Sequence, residues 1–354
     1  MKYLFIVQGE GRGHITQSIA LSGILEDHGH EVESVFVGRS YRREVPAFYR
    51  LHFAGKLHGF RSPNFIRTRD KKGINVALSI IYNLLATPLF LIEILRMARS
   101  IRRSDAAAVV NFYDMTGSLA HAVAFSRKKM FVLSHHFFFE SQGFTWPGGH
   151  RLMRFFLSLH SRLVALGAHS KIALSFTPGH VEGIPTTVVA PPLLRKKLRQ
   201  LTPQRGGYYL VYLLNEGFLD EIYALASLHA DTSWHIYTGC REHQVMHLPN
   251  VKMSGPSGDE FLDDLAGCRA VICTAGFETV CESAWLGKPV LLIPSKGHFE
   301  QLCNLVDARR AGFAHELTGS IDPATEGPLS QGNYEDFRNW VTSADEHFMT
   351  LLGG

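Results

Sequence analysis

The stretch KYLFIVQGEGRGHITQSIALSGILEDHG, residues 2–29, decides how the rest of the chain is read. Its first part, Tyr3 to Val7, is an unbroken apolar run, as expected of a strand buried on both faces. A secretory signal needs a longer apolar stretch and a small-residue cleavage site, so the run is read as a strand. The loop Gly9-Glu10-Gly11-Arg12-Gly13-His14 follows. Ile15, Ile19, Leu21, Ile24 and Leu25 then recur near helical spacing, and Gly29 ends the pattern. VESVFVG, residues 32–38, is a second strand. This order predicts a βαβ unit and a parallel sheet.

Working outward, further strands are expected at AAAVVNF (106–112), KMFVLSHH (129–136), SKIALSF (170–176) and TTVVAPP (186–192). The stretch APPLLRKKLRQLTPQRGG, rich in Pro, Gly and charge, reads as a linker. The pattern restarts at YYLVYLL (208–214), with SWHIYTG, RAVICTAG and KPVLLIP as later strands. A chain of 354 residues exceeds one ordinary hydrophobic core. The expected fold class is therefore α/β, with two Rossmann-like doubly wound domains facing across a cleft. Their bounds are 1–192 and 208–332, joined by a 193–207 linker. Residues 333–354 are read as a C-terminal helix packing back toward the first domain.

Charge divides the same way. Residues 1–190 carry 23 Lys and Arg against 12 Asp and Glu, a balance of +11, whereas residues 191–354 stand at −7. Opposite halves suit two domains with different partners. No nucleic-acid signature accompanies the basic half, so nucleic acid is not expected as a partner. The five cysteines, Cys240, Cys268, Cys273, Cys281 and Cys303, form no CxxC pair. They read as reduced thiols of a cytoplasmic protein, with no metal site among them.

Residues 73–103 are apolar for about 20 residues, roughly a bilayer's span. Asn75, Ser79, Asn83, Pro88 and Glu93 make insertion costly. Arg67, Arg69, Lys71 and Lys72 precede the segment, and Arg96, Arg99, Arg102 and Arg103 close it. Three readings stand: two core helices broken at Pro88, a peripheral surface for anionic membrane, or a span.

The chemistry concentrates in CRAVICTAGFETVCESAWLGKPVLLIPSKGHFEQLCNL, residues 268–305. A strand ends at Thr274-Ala275-Gly276, and a helix opens near Phe277 and carries Glu278, Thr279 and Glu282. Gly287-Lys288-Pro289 closes that helix before the next strand, and a loop bearing His298, Glu300, Gln301 and Asn304 follows. A helix N-terminus offers unpaired N–H groups and partial positive charge to a phosphate. Gly276 lets the phosphate approach the backbone. Glu282 can accept hydrogen bonds from ribose hydroxyls, and Glu300 and Gln301 from a sugar.

This block resembles the donor region of GT-B glycosyltransferases. The likeness is to the lipid-linked N-acetylglucosaminyltransferase of peptidoglycan synthesis and the UDP-glucuronosyltransferase-like enzymes. Thr274-Ala275-Gly276, Thr279-Val280-Cys281-Glu282, Gly287-Lys288-Pro289 and Glu300-Gln301-Leu302-Cys303-Asn304 carry it in order. The resemblance implies that Glu282 binds ribose. Gly276 and Phe277 N–H groups would bind phosphate, and Glu300 and Gln301 the donor sugar. Glu278, Thr279 and His298 complete the donor side, with Asn215 from a loop that carries Gly-Gly-Ser in peptidoglycan-type relatives.

The same family uses a GxGxGH loop at the acceptor side, which here is Gly9 to His14. His14 is thereby implied as the base, with Gly11, Gly13, His135 and His136 on the acceptor side. Asp114, just past a strand end, is the candidate to orient His14, although relatives often carry an acid at the position of Asn111. The family reading implies an inverting, metal-independent transfer from a nucleotide sugar, most simply a UDP-sugar, to a hydroxyl. No D-x-D triplet occurs, and no cofactor is expected beyond the UDP-sugar co-substrate. The basic, apolar 61–103 region points to a lipid-linked or otherwise anionic acceptor, on the inner face of the membrane. Hydrolysis of the nucleotide sugar and a non-catalytic sugar-nucleotide-binding subunit are the alternatives. An epimerase fits less well, because the Arg-Pro-Glu loop expected after its first strand is absent.

Overall fold

The computed structural model describes residues 1–39, 44–179, 181, 186–213, 216–239, 248–255, 258–317 and 332–353. The chain forms two units. The first takes Met1–Asn64, Ala77–Lys196 and Arg338–Gly354; the second takes Phe65–Val76 and Lys197–Phe337.

The first unit is built on β1 (Lys2–Val7), β2 (Glu31–Arg39), β3 (Leu57–Arg61), β4 (Ala108–Phe112), β5 (Lys129–Ser134), β6 (Ser170–Leu174) and β7 (Thr187–Ala190). Among the described residues they form one parallel sheet in the order β3-β2-β1-β4-β5-β6-β7. Tyr3 to Val7 of β1 are buried throughout, as an apolar strand between two helical layers must be. The helices are α1 (Arg12–Asp27), α2 (Ala47–His52), α3 (Val76–Arg103), α4 (Met115–Ala124) and α5 (Arg151–Val164). Right-handed crossovers put α3, α4 and α5 on one face of the sheet. Met97, Ile101, Ala120 and Val164 from those helices share a core with Ile6, Val109 and Val132.

In the second unit α6 (Lys196–Gln200) leads into β8 (Tyr208–Leu213), β9 (Ser233–Thr238), β10 (Val251–Ser254), β11 (Ala270–Thr274), β12 (Val290–Ile293) and β13 (Ala314–Glu316). These pair in parallel in the order β10-β9-β8-β11-β12-β13. Between them run α7 (Leu219–Leu228), α8 (Asp259–Gly267), α9 (Phe277–Trp285) and α10 (Phe299–Arg310). Both sheets thus have doubly wound order, with the reversal between β1 and β4 and again between β8 and β11. Ligands in such sheets bind outside the carboxyl ends of the strands at the reversal.

Several expectations change. The final helix is two, α11 (Tyr334–Thr342) and α12 (Ala344–Leu352), with Ser343 between them. Residues from Arg338 onward belong to the first unit, where Trp340 Nε1 donates to Ser175 O at 3.0 Å. The linker stretch contains α6, whose Leu198 is buried. The apolar 73–103 segment is not two core helices broken at Pro88. It is one 28-residue helix, α3, with Pro88 inside it. Proline removes one N–H donor, which strands the Leu84 carbonyl; Leu84 is exposed, so water can satisfy it. Only Ser79, Ile94, Met97, Ala98 and Ile101 of this helix are buried, and by length and composition it could cross a membrane.

Candidate active site

In the second unit, the end of β11 and the start of α9 form a compact turn. Gly276 caps α9 in extended conformation, φ −98° and ψ 140°, with no side chain to bond the first-turn N–H groups. A Cβ built there would meet nothing nearer than Thr274 O at 3.8 Å. Protein crowding therefore does not require the glycine; its missing side chain leaves the approach to the helix end clear. The carboxylate of Glu282 lies one and a half turns further in and is only 3% exposed. Glu278, one turn before it on the same face, is buried too.

The next helix locks this turn. Asn304 Nδ2, on α10, donates to Ala275 O at 2.9 Å, so the last residue of the Glu300–Asn304 element holds the loop before α9. Gln301 is partly committed to structure as well, since its Oε1 accepts from Ser295 N at 2.7 Å. His298 occupies the N-cap position of α10, and its ring tilts against Phe65 at 6.0 Å. Thr274 and Phe277 are buried and Glu300 is half-buried. Asn215 lies outside the described residues.

Lys288 is a structural cation: its Nζ donates to Cys268 O at 2.7 Å and to Gln204 O, tying the stretch before β8 to the sheet. Gly287 sits at φ +66°, which a glycine adopts without strain. The four described thiols, Cys268, Cys273, Cys281 and Cys303, are buried and unbridged. Burial pushes the thiols of Cys268 and Cys273 up to about 12, which suits packing and not nucleophilic work. Asp307, on α10, was not anticipated. Burial lifts its carboxyl to about 7 against the pull of Arg310. Nothing in the sequence separates it from a surface acid.

In the first unit, the carboxyl ends of β1, β4 and β5 bring rings together. Gly11 caps α1 at φ −99° and ψ 140°. Gly9 is required by packing, since a Cβ there would lie 1.7 Å from Gly38 O. His14, half-exposed in the first turn of α1, stacks on Tyr113 at 6.1 Å and on His136 at 6.4 Å, while Tyr113 and His136 stack at 4.0 Å. Tyr113 holds φ +60°, a left-handed conformation costly for a bulky residue, and its hydroxyl bonds Ser161 Oγ at 2.6 Å. Such strain tends to collect at functional sites.

The expected His14–Asp114 pair is not formed. The Asp114 carboxylate caps α4, accepting from Gly117 N at 2.8 Å, and its backbone is held by the amide of Asn111. Burial lifts its carboxyl to about 6 despite the backbone bonds from Gly117 and Thr116. Beside His14 stands Gln17, whose Oε1 lies 3.2 Å from Nδ1. An amide oxygen only accepts, so this contact favours the tautomer protonated at Nδ1. Spacing i, i+3 on α1 is the signal that would have found Gln17. The two neighbouring histidines also part ways. His135 Nδ1 donates to Leu174 O at 2.7 Å and braces the fold, whereas His136 joins the ring group.

The family described as Glycosyl transferase family 1 matches residues 161–326, which include the whole turn around Gly276. The chain has the two-sheet α/β fold of GT-B glycosyltransferases, and its second half is similar to that family. A Methanosarcina mazei protein described as an uncharacterized glycosyltransferase is 22% identical over 350 residues, covering 91% of this chain and 87% of its own. The chain also shares its fold with MurG of Acinetobacter baumannii, at TM-score 0.57 and 15% identity, covering 100% of this chain and 99% of that one. A UDP-GlcNAc 2-epimerase of Neisseria meningitidis, solved bound to UDP-GlcNAc, superposes at TM-score 0.60 with 14% identity and full coverage of both chains. The fold alone therefore accommodates both transfer and epimerisation, and the family match is what favours transfer.

Proposed function

We propose that the protein moves a sugar from a UDP-sugar to a hydroxyl acceptor, with inversion and without a metal ion. The observation that carries this reading is the β11–Gly276–α9 turn with Glu282 buried inside it. Gly276 N itself donates to Thr274 O at 2.6 Å, so the turn offers a diphosphate the N-terminal end of α9, which has no capping side chain, and offers the ribose hydroxyls a carboxylate. The acceptor hydroxyl attacks the anomeric carbon as His14 Nε2 takes its proton. The bond from that carbon to the phosphate oxygen breaks, and UDP leaves toward the α9 N-terminus.

We further propose a lipid-linked acceptor met at an anionic membrane, on the cytoplasmic side where buried thiols stay reduced. The support is the outer surface of the helices on one face of the first sheet. Leu84, Leu85, Ile81 and Leu95 of α3 and Leu152, Phe155, Phe156 and Leu159 of α5 are exposed. Arg96, Arg99, Arg102, Arg103, Arg151, Arg154 and Arg162 lie on the same two helices. Apolar faces with arginine at their borders suit anionic lipid.

The test incubates the protein with UDP-sugars labelled in the sugar, with and without a bacterial lipid extract. Transfer predicts UDP release that depends on the extract, with label entering the lipid phase. UDP and free sugar released equally without extract would mean hydrolysis. An altered sugar still attached to UDP would mean epimerisation, and binding without turnover a non-catalytic subunit.

A further inference from the structure

The second unit contains a segment from elsewhere in the sequence. Residues 65–76 leave the first unit after β3, join the second, and return as α3 begins. The segment folds on itself as a tight strap. Arg67 bridges Ile74 in antiparallel fashion, Asn75 N donates to Ile66 O at 2.7 Å, and Thr68 N to Gly73 O at 3.0 Å. Asp70 is used inside the turn, accepting from Thr68 Oγ1 and from Lys72 N, and these bonds hold its carboxyl below its ordinary value.

The strap is seated on two loops. On the loop after β12, Ile74 N donates to Lys296 O and Lys296 N to Lys72 O, each at 3.1 Å. On the loop after β8, Gly217 approaches so closely that a Cβ would lie 2.6 Å from Asp70 O and from Lys71 C. The other contact points are also glycines. A Cβ on Gly73 would sit 2.4 Å from Lys296 O, and Gly297, at φ +72°, leaves 3.0 Å to Ile74 O. In the sheet β11 lies between β8 and β12. A segment touching both flanking loops lies on the carboxyl-end side of β11, the side on which Thr274-Ala275-Gly276 opens α9.

The strap is basic. Arg67, Arg69, Lys71 and Lys72 stand against Asp70 alone, and Lys296 adds a further charge from the loop beneath. Lys72 is paired with Glu221 of α7. Lys71 holds φ +57°, where glycine or asparagine would be cheaper. Its side chain is exposed.

We propose that the strap 65–76 is a wall of the donor site, placing cationic side chains against the diphosphate of the nucleotide sugar. This rests on the donor-site reading above. The strap adds charge where the helix N-terminus adds dipole, so recognition falls on the phosphates and not on the nucleoside.

The test is calorimetric titration of UDP and of uridine into wild type and an Arg69→Gln/Lys71→Gly variant. Both side chains are exposed, and glycine suits the Lys71 backbone, so folding is preserved. The variant is expected to bind UDP about 3- to 30-fold more weakly, with a shallower salt dependence and uridine affinity unchanged. Equal or tighter UDP binding by the variant overturns the proposal, as does an equal loss for uridine. Failure of wild type to bind UDP removes the donor-site reading itself, and this inference with it.

Discussion

Helices α1 and α9 begin alike and end up in different trades. Each follows a strand beside a sheet reversal, and each is capped by an extended glycine, Gly11 at φ −99° and ψ 140° and Gly276 at φ −98° and ψ 140°. Neither cap offers a side chain to the helix N–H groups. The difference lies in the next six residues. After Gly11 come Arg12, Gly13 and His14, all half-exposed, with no acid in the first turn. After Gly276 come Phe277, Glu278 and Thr279, all buried, and then the buried Glu282. Under the proposed function, one backbone device is an open seat for a base beside stacked rings, and the other a walled seat for a ligand with hydroxyls and phosphates.

The comparison can be broken at either end. Replacing His14 by Ala should lower kcat about 10²- to 10⁴-fold and leave nucleotide affinity within about twofold. A parallel loss of affinity would show that the two seats do not divide the work. Gly276→Ala and Gly11→Ala should each leave stability within about 0.5 kcal/mol, since both backbones suit alanine and no Cβ would clash. Only Gly276→Ala should weaken UDP binding, roughly tenfold, by crowding the helix end. Equal effects from the two would mean the glycines matter for folding alone.

Gln17→Glu sharpens the base. A carboxylate beside His14 stabilises its protonated form, so the acid limb of kcat/KM should move to higher pH by about one unit. An unmoved limb would take His14 out of the proton transfer. The smallest functional effect is expected of Asp114→Asn. Its capping bond survives in asparagine, so kcat should stay near wild type. The raised carboxyl of Asp114, at about 6, makes the folded wild type bind a proton that the unfolded chain has lost. Wild-type stability should therefore fall as pH rises from about 4 to about 6, on the order of 1–3 kcal/mol, and the variant should lack that fall. Urea unfolding across that range reads the difference.

The legible parts of the fold were its central strands. The apolar runs at β1, β4, β5, β8, β11 and β12 stand out because both faces are covered. The strands at three sheet edges, β3, β10 and β13, left no such trace: Leu57–Arg61, Val251–Ser254 and Ala314–Glu316 are short, and at most one position in each is buried. Helix α3 misled by composition, since an apolar helix reads as core until its neighbours are known. In the site, the order of motifs from Thr274 to Asn304 was readable because one strand–helix–strand–helix frame carries them all. A partner of His14 was sought in a carboxylate across the sheet, when Gln17 stood one turn along the same helix. The strap was beyond reach, because nothing in residues 65–76 announces that they leave one unit to pack in the other.

The central claim is that the turn at Gly276 and Glu282 holds a nucleoside diphosphate. Titration of UDP, TDP, GDP and CMP into wild type and Glu282→Ala tests it directly. The account predicts that UDP binds near micromolar and that the variant loses about 1.5–3 kcal/mol, the value of hydrogen bonds to a charged group. If no nucleotide binds wild type, or if Glu282→Ala binds UDP as tightly, the donor site is elsewhere and the account is contradicted.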